Sequence, residues 1–122
     1  MISAQIRAIL TWEMDDLELH APADKLNFSV LVRAMVGPRE GKGEESFDIN
    51  VCTPKWLEEQ VAREGFVLGL HRLFVEAYDP ALIRGIITRL IERYSGDSWQ
   101  DVAVKISRVG QWEFEEYKPK LA

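Results

Sequence analysis

Two histidines and one cysteine are the side chains of this sequence best suited to nucleophilic or proton-transfer chemistry. His20 and His71 stand far apart in the chain, with Cys52 between them. A Ser-His or Cys-His couple needs nucleophile and base within hydrogen-bond reach, and spacing alone names no such pair. His71 sits in the apolar stretch FVLGLHRLFV, where it reads as a structural histidine satisfied by its neighbours. Cys52 precedes a threonine at the start of a helix, a place where a thiol pKa can fall. Cysteine usage in general favours a small, half-buried packing residue there.

The acidic run and the glycine-rich run are the other chemical signals. Asp15 and Asp16, flanked by Glu13 and Glu18, lack the glycine turn and ligand spacing of a calcium loop and read as a solvated acidic turn. GPREGKG, residues 37–43, is too short between its glycines for a phosphate loop and carries Gly43 where a serine or threonine would hold magnesium. A phosphate loop should also open a helix, whereas strands flank this one. No catalytic residue, metal or cofactor is assigned.

The elements that would position these groups follow from composition and periodicity. At 122 residues the chain can build one core. Hydrophobic residues at 47% and charged residues at 29% are a globular mixture. Fifteen basic against twenty acidic side chains give a net charge of -5, which repels nucleic acid and suits a basic protein partner. No apolar run approaches the ~20 residues of a membrane span. The N-terminus has no basic segment or cleavage site of a signal peptide, and a lone cysteine suits a reducing compartment, so a cytoplasmic protein is expected.

From Ile2 to Met14 the even positions are apolar, predicting a strand with one buried face. A polar connection with Pro22 follows, carrying a short extended piece around Leu17 and Leu19. Phe28 to Val36 predicts a second strand, with Phe28, Val30, Val32, Ala34 and Val36 inward. The charged loop Gly37 to Glu45 reads as a long, mobile hairpin connection, and Ser46 to Cys52 as a third strand burying Phe47, Ile49 and Val51. Thr53-Pro54 starts a helix with Trp56, Leu57 and Val61 on one stripe and Gly65 at its end. Phe66 to Val75, apolar on both parities, predicts a central, well-covered strand.

Asp79-Pro80 caps a second helix with a wide apolar face from Leu82 to Tyr94, and Ser98 with Asp101 opens a third, which Gly110 ends. Gln111 to Tyr117 predicts a closing edge strand stopped by Pro119. The result is a single α+β domain over residues 1–122, a mainly antiparallel sheet of about five strands with about three helices packed on one face. Trp12, Trp56, Trp99 and Trp112 fall on the apolar sides of their elements and read as packing residues.

Three stretches stand out together: SFDINVCTPKWLEEQ at 46–60, YDPALIRGIITRLIER at 78–93 and SWQDVAVKISRVGQWEFEEY at 98–117. Their order resembles the Immunity protein 8 family of bacterial polymorphic toxin systems, with CTPKWL the most specific part. The resemblance implies a cytoplasmic antidote that binds and neutralises a cognate toxin domain, a protein partner, without catalysis. It carries over no binding residues.

If helices cover one face of the sheet, the other carries the odd positions of the first strand, then Leu31, Arg33, Met35, Asp48, Asn50, Glu113 and Glu115. This mixed, net acidic face is the expected partner-binding surface: Leu31 and Met35 would desolvate at its centre and rim carboxylates would speed encounter. The alternative is a small-molecule enzyme with a pocket between sheet and helices, which requires His71, Cys52 and carboxylates to converge. A self-assembling structural module is a third reading.

Overall fold

One irregularity in the first strand decides which of its side chains reach the core. The computed structural model describes residues 1–115, and strand β1 spans Ile2–Thr11. It pairs antiparallel with β2, Ser29–Pro38, placing Ile6 opposite Val36 but Ala8 opposite Met35. Arg7 is therefore the extra residue of a β-bulge, and such an insertion reverses the inward parity of everything beyond it. Ala4 is buried before the bulge, Ile9 and Thr11 after it. The expected inward face of even positions as far as Met14 fails for this reason, and Trp12 and Met14 stand exposed beyond the strand's end. The Arg7 guanidinium donates to the carbonyls of Pro38 (2.6 Å) and Gly41 (2.8 Å), which ties the glycine-rich loop to β1.

β3, Glu45–Cys52, pairs antiparallel with β2 from Ser29↔Cys52 to Val36↔Glu45. Its outer edge is shared. β6, Gln111–Trp112, pairs antiparallel at Phe47 and Asp48, and β4, Arg72–Phe74, pairs parallel at Asn50 to Cys52. β5, Ser95–Gly96, joins the far side of β1, giving the order β4-β3-β2-β1-β5 with β6 beside β3. The sheet is mostly antiparallel with one parallel pair, and with three helices it makes the expected single α+β domain.

Each helix starts at its predicted cap. Thr53 Oγ1 accepts from Trp56 N (3.4 Å) to begin α1, Pro54–Glu64, and from Phe28 N (3.2 Å) to tie that helix start to β2. Gly65 ends α1 at φ 89°, a left-handed conformation that favours glycine. Asp79 caps α2, Pro80–Glu92, and Ser98 caps α3, Trp99–Ile106. α3 ends at Ser107 rather than Gly110; Gly110 is instead wedged against β3, where an added Cβ would lie 2.9 Å from Ile49 Cγ1.

The core forms between the inward face of the sheet and two helices. Val32, Ala34, Val36, Phe47, Ile49 and Val51 meet Ile83, Ile87 and Ile91 of α2 and Val102, Ala103 and Ile106 of α3. Each large aliphatic side chain buried this way contributes about 1.5–3 kcal/mol. α1 contributes no buried residue.

The stretch Phe66–Val75 is not a central strand. Only Arg72–Phe74 joins the ladder, at the sheet's outer end, and Phe66, Leu68 and Leu70 are 68%, 71% and 68% exposed. A strand apolar on both parities is buried only where both faces are covered, and Phe66, Leu68 and Leu70 have no such cover. The predicted closing strand is also shorter, because β6 ends at Trp112 and the chain turns through Glu115. Its remainder to Tyr117, and Pro119, lie outside the described residues.

Candidate partner-binding face

The β2–β3 register assembles five of the expected residues on the sheet face opposite the core: Leu31↔Asn50, Arg33↔Asp48 and, beside Ser46, Met35. The alternating residues Val32, Ala34, Val36, Phe47, Ile49 and Val51 are buried, whereas these are half-buried. Because of the bulge, β1 adds Ala8 and Leu10 to this face, opposite Met35 and Arg33, in place of the odd positions anticipated.

A two-pronged ion pair occupies its centre. Arg33 Nε donates to Asp48 Oδ1 at 2.8 Å and Nη2 to Oδ2 at 3.0 Å. The Asp48 hydrogen bonds, and then the fields of Asp48 and Glu113, raise the guanidinium pKa further above its usual range. Glu113 lies at the margin of the face, its N–H donating to Ser46 O (3.1 Å) and its carboxylate accepting from Ser46 N (2.7 Å). Glu115 leaves the group: its carboxylate is 3.9 Å from His71 Nε2. The middle of the face is therefore charge-compensated, and a second acidic group lies elsewhere.

It gathers where β1 leaves the sheet. The last β1–β2 pair is Thr11↔Val32, so residues Ser29–Leu31 of β2 have β3 on one side and, on the other, a cavity of about 420 Å³ bounded by Trp12, Glu13, His20, Leu31 and Asn50. His20 Nε2 lies 2.9 Å from Asp15 Oδ2 and 4.0 Å from Glu13 Oε2. The Asp15 hydrogen bond raises the imidazole pKa above its ordinary value of 6.5. Asp16 and Glu18 on the same turn are instead engaged by Arg84 of α2, whose hydrogen bond lowers the Glu18 pKa. The sequence does not single out this site, because Trp12 reads there as a packing residue and Glu13 as the flank of a solvated acidic turn. The polar switch after Thr11 was the available signal.

His71 and Cys52 do not converge. His71 Nε2 donates to the Ser107 carbonyl at 2.7 Å, and the residue holds a left-handed backbone at φ 58°. It lines a cavity on the helical side with Ile49, Leu90 and Arg108, which Cys52 does not reach. The Cys52 thiol is buried, 3.3 Å from Ser29 Oγ, and burial raises its pKa, leaving it protonated and weakly nucleophilic.

The signature aromatics build the scaffold. Glu45 Oε1 accepts from both Trp99 Nε1 (2.6 Å) and Trp112 Nε1 (3.0 Å), joining the start of β3 to α3 and β6. Trp112 stacks on Phe47 at 6.4 Å between ring centroids, and Trp56 packs under the Arg72 guanidinium at 5.8 Å. The motif stretches thus hold the elements whose order first suggested a family, and the family model for Immunity protein 8 matches residues 4–117. The chain belongs to the Immunity protein 8 family. Membership supports a role in toxin immunity, and a toxin is by nature a protein partner here. No curated protein and no solved structure matches the chain. Among the described residues, no helix is long and apolar enough to cross a membrane.

Proposed function

We propose that this protein binds the toxin domain of a bacterial polymorphic toxin in the cytoplasm of the producing cell and neutralises it by covering its active surface, without itself catalysing a reaction. The family match over residues 4–117 carries this reading. The face opposite the core supplies a suitable surface, with Leu31 and Met35 flanking the Arg33–Asp48 pair. Apolar side chains around a satisfied charge pair can be desolvated without stranding a buried charge. A net charge of -5 favours a basic toxin, such as one acting on nucleic acid, and disfavours nucleic acid as a direct ligand.

The test is copurification and calorimetry with the toxin domain encoded beside this gene. Wild-type protein is expected to form a stable complex that abolishes toxin activity. Leu31→Asp with Met35→Asp, in a protein whose circular dichroism is unchanged, is expected to weaken binding at least a hundredfold. Full affinity in that double variant would remove the sheet face from the interface, and absence of binding by the wild type would overturn the reading altogether.

A further inference from the structure

The cavity at the end of the open face has a chemistry of its own. Along β2, Phe28 O accepts from Thr53 N, so alternation in the antiparallel ladder aims Val30 and Val32 at β3 and turns the backbone groups of Ser29 and Leu31 the other way. The pairing of Thr11 with Val32 still directs Trp12 N–H at the Leu31 carbonyl, whereas Ser29 lies beyond the end of β1, so its carbonyl is the one left facing the cavity. Asn50, paired with Leu31 and half-buried, has no hydrogen bond from its side-chain amide to any described residue. Leu31 and Trp12, the latter 62% exposed, supply apolar walls. The Glu13 carboxylate stands at the mouth, 4.0 Å from His20 Nε2 and with the Asp15 carboxylate within 4.8 Å. Two carboxylates, Glu13 and Asp15, against at most one imidazolium leave this cluster net negative whichever state His20 adopts.

We infer that this cavity receives a single cationic side chain, an arginine or lysine, from the protein partner. Its aliphatic stem lies along Leu31 and the Trp12 ring, while its head is met by the Glu13 carboxylate, the main-chain carbonyl of Ser29 and the side-chain carbonyl of Asn50. An indole face, a carboxylate and carbonyl acceptors form a combination that attracts a guanidinium or ammonium and offers little to an acidic or purely apolar side chain. A volume of about 420 Å³ suits one such side chain and is far too small for a folded segment. An arginine or aromatic anchor seated in a desolvated pocket carries much of the energy of many protein interfaces.

The biological partner in this assignment rests on the toxin-binding reading, but the pocket can be tested without a toxin. Acetyl-arginine methylamide, acetyl-lysine methylamide and the uncharged acetyl-norleucine methylamide are titrated into isotopically labelled protein while the Trp12 indole and Asn50 side-chain amide signals are followed. The cationic amides are expected to shift both signals saturably, the norleucine amide to bind at least fivefold more weakly, and Glu13→Gln to abolish that preference while leaving the rest of the spectrum in place. Equal binding of all three amides, no saturable shift, or an unaltered preference in Glu13→Gln would each overturn the inference. With the neighbouring toxin domain, Glu13→Lys is expected to lower affinity at least tenfold. A wild-type protein that binds the cationic amides but not the toxin sinks the functional reading and leaves the pocket standing; one that binds the toxin with Glu13→Lys unimpaired does the reverse.

Discussion

His20 has the most one-sided surroundings of any imidazole in the chain: Asp15 at 2.9 Å and Glu13 at 4.0 Å both favour its charged form. Its titration midpoint by NMR is expected above 6.5, and Asp15→Asn is expected to bring it back toward 6.5. A folded-state pKa above the unfolded value means that protonated His20 adds stability below pH 6.5, a contribution lost as pH rises through the folded-state value. Its exposure keeps the effect small. Gly37 presents the opposite case, in which space decides everything. An added Cβ would lie 2.2 Å from the Gly43 carbonyl oxygen and 3.0 Å from Arg7 Nε, at the point where the bulge residue clasps the loop. Gly37→Ala is expected to lower stability by about 1–3 kcal/mol in urea unfolding, whereas Gly69→Ala, with open space around its Cβ position, is expected to be near neutral.

At the scale of elements, the joints between strands and helices carry more consequence than the helices' own propensities. Glu45 holds two indole N–H groups from two elements. Glu45→Ala leaves both without their acceptor and is expected to cost about 1–3 kcal/mol, while Glu44→Ala on the exposed loop should stay within about 0.5 kcal/mol. The apolar segment beyond α1 supplies the sharpest contrast. Phe66, Leu68 and Leu70 look as apolar as any core strand, yet they are more exposed than Ile87, which has no accessible surface at all. Leu68→Ser is expected to leave the melting midpoint nearly unchanged, and Ile87→Ala to cost about 2–5 kcal/mol. Substantial destabilisation by Leu68→Ser would mean that the segment is covered in solution.

For the molecule as a whole, charge and shape divide the work of recognition. The centre of the open face is compensated by the Arg33–Asp48 pair, while Glu13 and Asp15 gather beside His20 where β1 leaves the sheet. On the proposed reading, an acidic end beside a nearly neutral, partly apolar face would steer a basic partner and then let the contact become dry. The association rate with a cognate toxin domain is accordingly expected to fall about tenfold as salt rises from roughly 0.01 M to 0.15 M, where the screening length shrinks to about 8 Å. Stopped-flow mixing measures this directly, and a salt-independent rate would remove steering from the account.

Local chemistry was legible in the sequence wherever one residue type settles one local geometry. Thr53, Asp79 and Ser98 announce helix starts because a short side-chain oxygen is what an unpaired helical N–H needs. The alternation of β2 and β3 announces their inward faces because side chains on a strand have a period of two, and it placed Leu31, Arg33, Met35, Asp48 and Asn50 together for the same reason. Tertiary structure alone decided the rest. An inserted residue at Arg7 has no signature in a pattern that stays apolar on both sides of it, so the parity of β1 and the fate of Trp12 emerge only from pairing with β2. The apolar content of Phe66–Leu70 does not say whether a second layer lies over it, and the departure of Glu115 toward His71 depends on where β3's shared edge ends. The sequence determines what each segment can bury; which surfaces stay open to a partner is set by what the neighbouring elements leave uncovered.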